Sequence, residues 1–159
     1  MSLAAKYGHT NIIADDWQAL AGFYQQIFGC LPVPPERNFH GARIAATGVP
    51  DAHVRGIHLR LPGHGDNGPT LEILNYSLLA DRGLTAANRP GFGHIAFIVD
   101  DVPAAQQAVL QAGGHKVGEI VTLQIAADSQ VTMCYVTDPE GSIVELQSWS
   151  TPAAASGPG

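Results

Sequence analysis

Two histidines and two glutamates, each set inside an apolar stretch, are the residues of this chain whose types and spacing suit them to chemistry. His9 stands in Gly8-His9-Thr10-Asn11-Ile12-Ile13 and His94 in Gly93-His94-Ile95-Ala96-Phe97-Ile98. Glu72 stands in Thr70-Leu71-Glu72-Ile73-Leu74 and Glu145 in Ile143-Val144-Glu145-Leu146. A buried carboxylate without a partner is costly, so each glutamate needs a cation or strong donors beside it. One divalent metal ion would satisfy both imidazoles and both carboxylates together, and this donor set suits Zn, Ni, Co, Mn or Fe. Such an ion would act on a small oxygen-bearing substrate.

The elements that must position these groups occur twice. Gly8-His9 recurs as Gly93-His94, Asp15-Asp16 as Asp100-Asp101, Ala19 as Ala104, Gln26 as Gln111 and Gly29 as Gly114, each at a separation of 85 residues (94 − 9). Each copy opens with an apolar strand, Tyr7 to Ala14 or Phe92 to Val99, closed by an Asp pair that can cap the next helix. The first helix, about Trp17 to Phe28, carries Leu20, Phe23, Tyr24 and Ile27 on one stripe and stops at Gly29. The second, about Val102 to Ala112, has Pro103 in its first turn and ends at Gly113-Gly114. Three extended stretches follow each helix: about 30–38, 54–61 and 70–75, then 116–121, 131–136 and 142–149. The pattern is βαβββ twice, an α+β arrangement, with module 6–76 and module 91–149 in a single domain and 77–90 as the linker. Asp138-Pro139-Glu140-Gly141 predicts the tight turn before the last strand. Strand parity puts His9 and Asn11 on one face, and sets Glu72 opposite Leu71 and Ile73, so the polar groups point away from the helix-covered side.

Bulk properties narrow the function further. A chain of 159 residues with 45% hydrophobic side chains is the size of one domain. A net charge of -6, with eight scattered Lys and Arg, offers no surface for nucleic acid. No apolar run is long enough to span a bilayer and no secretory signal opens the chain, so a cytoplasmic protein is expected. Cys30 and Cys134 lack CxxC partners and read as buried thiols. Met1-Ser2-Leu3 reads as a cloning remnant and residues 150–159 as a disordered tail.

The sequence resembles the vicinal oxygen chelate superfamily, which includes glyoxalase I, methylmalonyl-CoA epimerase, extradiol dioxygenases and the fosfomycin and bleomycin resistance proteins. The resemblance spans about Lys6 to Trp149 and rests on three motifs. They are Gly8-His9-Thr10-Asn11-Ile12 with the Phe23-Tyr24 to Phe28-Gly29 helix end, Gly91-Phe92-Gly93-His94-Ile95-Ala96-Phe97, and Asp138-Pro139-Glu140-Gly141 leading into Ile143-Val144-Glu145-Leu146. It implies an open, curved mixed sheet with helices on its convex side (the glyoxalase-like fold) and His9, Glu72, His94 and Glu145 as ligands of one metal ion. The four-ligand set is closest to glyoxalase I and the epimerase, which implies a lyase or isomerase that uses the metal to stabilise an enediolate. Glu145, or Glu72, would leave the metal and carry the proton. A ring-cleaving dioxygenase and a non-catalytic bleomycin-resistance-type binding protein are the alternatives.

The implied substrate is a small molecule with adjacent oxygens. Asn11, on the face of His9, and His58 and Arg60 on the third strand are candidates to touch it, with Arg43 and Arg55 in the loop before that strand as further cations. For His58 a surface position is the simpler expectation. His40, His53, His64 and His115 fall in loops or at strand edges without duplicates. A homodimer is expected because an open sheet leaves edges to cover, and the metal site can lie within one chain or be shared between subunits.

Overall fold

A computed structural model describes residues 2–152. The chain forms two compact units that divide between Gly83 and Leu84, inside the expected linker. Each is a mixed sheet with one helix on it.

The first unit runs β1 (His9–Ile13), α1 (Trp17–Phe28), β2 (Leu31–His40), a 3₁₀ segment (Gly41–Thr47), β3 (His53–Arg60) and β4 (Thr70–Tyr76). Its strand order is β1-β4-β3-β2, with β1 parallel to β4 and the other pairs antiparallel. The chain turns from β1 into α1 because Asp16 accepts from the backbone N–H groups of Gln18 (3.1 Å) and Ala19 (3.0 Å), filling donors that a helix start leaves open. Gly29, at φ 68°, ends α1 in the left-handed conformation that a side chain disfavours. Leu20, Phe23 and Tyr24 of α1 are buried with Ile57 and Leu59 of β3 and Leu71 and Ile73 of β4. Each such side chain contributes about 1.5–3 kcal/mol through area removed from water. A separate small cluster joins Ala52 and Val54 to Val49, Leu74 and Tyr76.

The second unit runs β5 (Ile95–Ile98), α2 (Val102–Gln111), β6 (His115–Lys116), β7 (Val121–Ala126), β8 (Ser129–Thr137) and β9 (Ile143–Ser150). The order is β5-β9-β8-β6, with β7 also on β8. Asp101 caps α2 through the Ala104 N–H at 2.8 Å, and Phe97, Val102, Val109, Val136, Val144 and Leu146 form the core. Asp138, fully buried, accepts from the N–H groups of Glu140 (2.9 Å) and Ser142 (3.0 Å), which builds the expected turn into β9.

The expected strand 116–121 departs from the structure. It resolves into β6 and β7, both lying along β8, so the edge of this sheet is one interrupted strand. The alternation of Val121, Leu123 and Ile125 with Thr122 and Gln124 is the period-2 signal for β7, a segment the sequence reading passed over. The interruption has a counterpart in the first unit. There Val33 pairs with His58 and Arg37 with Gly56, so four steps of β2 face two of β3. In the second unit Val117 N–H bonds Tyr135 O and Val121 pairs with Met133, again four steps facing two. A bulge of this kind bends the edge strand and re-aims side chains beside it, and in both units it adjoins the same place, His58 in one and Tyr135 in the other.

The remaining boundary shifts are small. His94 falls just ahead of β5 rather than within it, and Arg55 lies in β3 rather than in the loop before it. Residues 153–159, the greater part of the expected tail, lie outside the described residues. Among the described residues no helix is long and apolar enough to cross a membrane.

Candidate metal centre

In the first unit Asn11 of β1 sits in register with Glu72 of β4, and in the second Ala96 of β5 sits in register with Glu145 of β9. The histidine stands two residues before that partner in both units, so one backbone arrangement delivers a His–Glu pair twice. His9 Nε2 lies 3.6 Å from Glu72 Oε1, and His94 Nε2 lies 2.8 Å from Glu145 Oε2. The glutamates are mostly covered, their side chains 16% and 13% exposed, while His9 at 46% and His94 at 35% are more open.

These separations test whether the pairs fit a metal ion. Two ligands bound to one ion at about 2.1 Å, at right or tetrahedral angles, hold their donor atoms roughly 3.0–3.4 Å apart. The two observed His–Glu distances straddle that range, and imidazole with carboxylate is a suitable donor combination, so each pair fits two neighbouring positions of a coordination sphere. Among the described residues no group of three or more His, Cys, Asp and Glu side chains forms a metal cage, and the ligand candidates come as pairs.

His58 is the residue whose placement differs most from expectation. Its side chain is 15% exposed rather than surface-facing, and its Nε2 lies 2.7 Å from Glu72 Oε2. Its Nδ1 lies 2.7 Å from the Thr70 hydroxyl, and its ring meets that of His9 edge to face at 5.1 Å. Burial, the largest influence, holds the His58 pKa below its ordinary value; Glu72 opposes this, and Arg37 and His9 add to it. Arg37 of β2, in register with Gly56 two residues along β3 from His58, is a cation that sequence analysis does not single out. Asn11 turns its amide onto Glu72, donating to Oε1 at 3.1 Å and to the backbone carbonyl at 3.2 Å. Arg60 pairs instead with Asp66 at 3.0 Å, and Arg43 lies in the 3₁₀ segment.

The second unit surrounds Glu145 differently. The Gln147 amide donates to Glu145 Oε1 at 3.1 Å, and the Trp149 indole N–H donates to the Gln147 carbonyl. Tyr135, in register with Glu145 as His58 is with Glu72, packs its ring on His94 at 4.9 Å. Sequence analysis does not single out Thr70, Gln147 or Trp149 as site residues. Each lies an even number of residues from its glutamate on the same strand, so strand parity alone could have flagged them.

A family model described as the Glyoxalase/Bleomycin resistance protein/Dioxygenase superfamily matches residues 6–146. The chain belongs to this superfamily. Solved structures agree on the fold. A glyoxalase family protein from Bacillus cereus is 19% identical with a TM-score of 0.77, the match covering 94% of this chain and 97% of that one. The glyoxalase family protein from Enterococcus faecalis gives 20% identity and a TM-score of 0.58, over 89% and 96% of the two chains. A genomically encoded fosfomycin resistance protein from Listeria monocytogenes gives 13% and 0.53, over 92% and 94%. No curated protein sequence matches. The superfamily holds metal-dependent enzymes and binding proteins and commonly binds a divalent metal, which agrees with the His–Glu pair in each unit.

Proposed function

We propose that this glyoxalase-superfamily protein is a metal-dependent lyase or isomerase that moves a proton on a carbon next to a carbonyl. His9 with Glu72 in the first unit and His94 with Glu145 in the second each supply an imidazole and a carboxylate as ligands for a divalent ion. The observation that carries the reading is the repeated pair: the same register delivers an imidazole and a largely covered carboxylate at 3.6 Å in one unit and 2.8 Å in the other. Packing alone does not call for a largely covered carboxylate beside an imidazole at matching places in both units, because covering a carboxylate is costly without a cation or donors.

When bound, the ion supplies Lewis-acid stabilisation of charge on a substrate oxygen. The protein's own residues do the rest. His9 and His94, the more exposed members, stand where a small molecule with adjacent oxygens can approach. One of the two glutamates accepts the proton on a carboxylate oxygen and returns it, a base whose strength depends on being partly shielded from water. A substrate bearing a carboxylate or phosphate is favoured by the Arg37 charge beside His58.

Elemental analysis of the purified protein should find about one equivalent of metal per chain. Screening acyl-CoA, hemithioacetal and catechol substrates then assigns the reaction, and a carbonyl-adjacent proton should exchange with deuterated solvent. Full turnover with normal metal content in both Glu145→Gln and Glu72→Gln would refute the proton-carrier role. Protein that takes up no metal and binds drugs would refute the enzyme reading as a whole, and iron-dependent oxygen consumption on catechols would replace it with ring cleavage.

A further inference from the structure

We propose that His58 is a positioning residue, anchored by Thr70, that holds the Glu72 carboxylate in place for metal binding; this rests on the metal reading above. A carboxylate only accepts hydrogen bonds, so the 2.7 Å contact fixes a proton on His58 Nε2. In the neutral ring Nδ1 then accepts from the Thr70 hydroxyl at 2.7 Å. Both nitrogens are therefore engaged, and the ring is tied to the same strand that carries Glu72, two residues away. The other Glu72 oxygen receives the Asn11 amide at 3.1 Å. Both carboxylate oxygens are thus held by donors that are not among the four expected ligands, and each oxygen keeps a further lone pair for an ion.

The duplication supplies a comparison within the same chain. Tyr135 takes the place of His58 opposite Glu145, but its ring lies on His94. Apart from His94, Glu145 has one donor among the described residues, the Gln147 amide at 3.1 Å. The restraint by a second imidazole, beyond the paired histidine, is thus a property of the first unit. Partners of this kind around a ligand typically change metal affinity by about 10–100-fold, because they remove the cost of ordering the carboxylate when the ion arrives.

The test uses the full chain. Zn²⁺ affinity is measured by chelator competition, and Co²⁺ is used for its visible absorption, in wild type, His58→Ala, His58→Gln and Thr70→Val, with thermal melts to confirm folding. Wild type binding about one ion establishes the reading beneath the proposal. His58→Ala should then bind about 10–100-fold more weakly with unchanged Co²⁺ band positions. Thr70→Val should weaken binding less, and His58→Gln, which keeps an N–H donor, should recover part of the loss. Unchanged affinity in His58→Ala overturns the proposal. So does weakened binding together with shifted Co²⁺ bands, which would make His58 itself a ligand. A crystal structure of metal-free His58→Ala decides independently of any metal: Glu72 should leave its rotamer or spread over several, and an unmoved Glu72 overturns the positioning role even if wild type binds no metal.

Discussion

Gly56 lies on β3 between Arg37 of β2 and Leu74 of β4, and replacing it with alanine tests how closely the strands that carry His58 and Glu72 must approach. A Cβ at this position would stand 2.0 Å from Ile73 O, 2.6 Å from Leu74 Cδ2 and 2.9 Å from Ile73 C. The leucine can turn aside, but the carbonyl is backbone and sits more than about 1 Å inside ordinary contact. Relief requires β3 and β4 to part. We expect Gly56→Ala to cost about 3–4 kcal/mol, from roughly 1–3 for overpacking and about 1 for each ladder hydrogen bond lost. That lowers the melting temperature by roughly 6–16 °C. Gly22→Ala is the internal control. Gly22 lies in α1 with nothing within 4 Å of its would-be Cβ, so the same chemical change should stabilise by about 0.5–1 kcal/mol. Circular dichroism melts and urea titrations of both variants decide. A Gly56→Ala protein melting within about 2 °C of wild type would show that β3 and β4 tolerate separation, and the reasoning from close approach would fall. Because His58 and Glu72 are cross-strand partners on these strands, Gly56→Ala should also weaken metal binding, read by the same chelator competition.

Asp138→Ala removes the acceptor for two backbone N–H groups in the turn before β9, and urea unfolding should show a loss of about 3 kcal/mol, with Asp138→Asn losing less because its carbonyl can still accept. Glu72→Gln should weaken metal binding more than Glu145→Gln by chelator competition, since His58 and Asn11 aim donors at both Glu72 oxygens and an amide offers only one acceptor; equal losses would count against the asymmetry. Burial pushes the Cys30 thiol up to about 11 from 9.0. The unfolded thiol ionises first, so the folded state holds more protons between those values. Stability from this group is complete below about pH 9 and declines as pH rises toward about 11, by roughly 2–3 kcal/mol. Urea unfolding of wild type against Cys30→Ala across that window should show a shallower decline in the variant.

Much of this protein could be read from its sequence because duplication makes a weak signal strong. A histidine at the start of one apolar strand says little, whereas His9 and His94 at matching places, with Glu72 and Glu145 inside matching last strands, point to metal chemistry before any coordinates exist. The helices were equally legible: Asp16, Asp101 and Gly29 are local stop and start signals that act through backbone groups only a few residues away. What the sequence alone could not determine were relations between strands. Which residue of β3 faces Glu72 depends on register, and register follows from the pairing of the whole sheet and the bulge in β2, so His58 looked like a surface residue until Thr70 and Glu72 were placed beside it. The same reason hid Arg37, which lies four steps along β2 from Val33 but only two steps along β3 from His58. Local signals set the elements, while long-range hydrogen bonding between strands decided which side chains lie against Glu72 and Glu145.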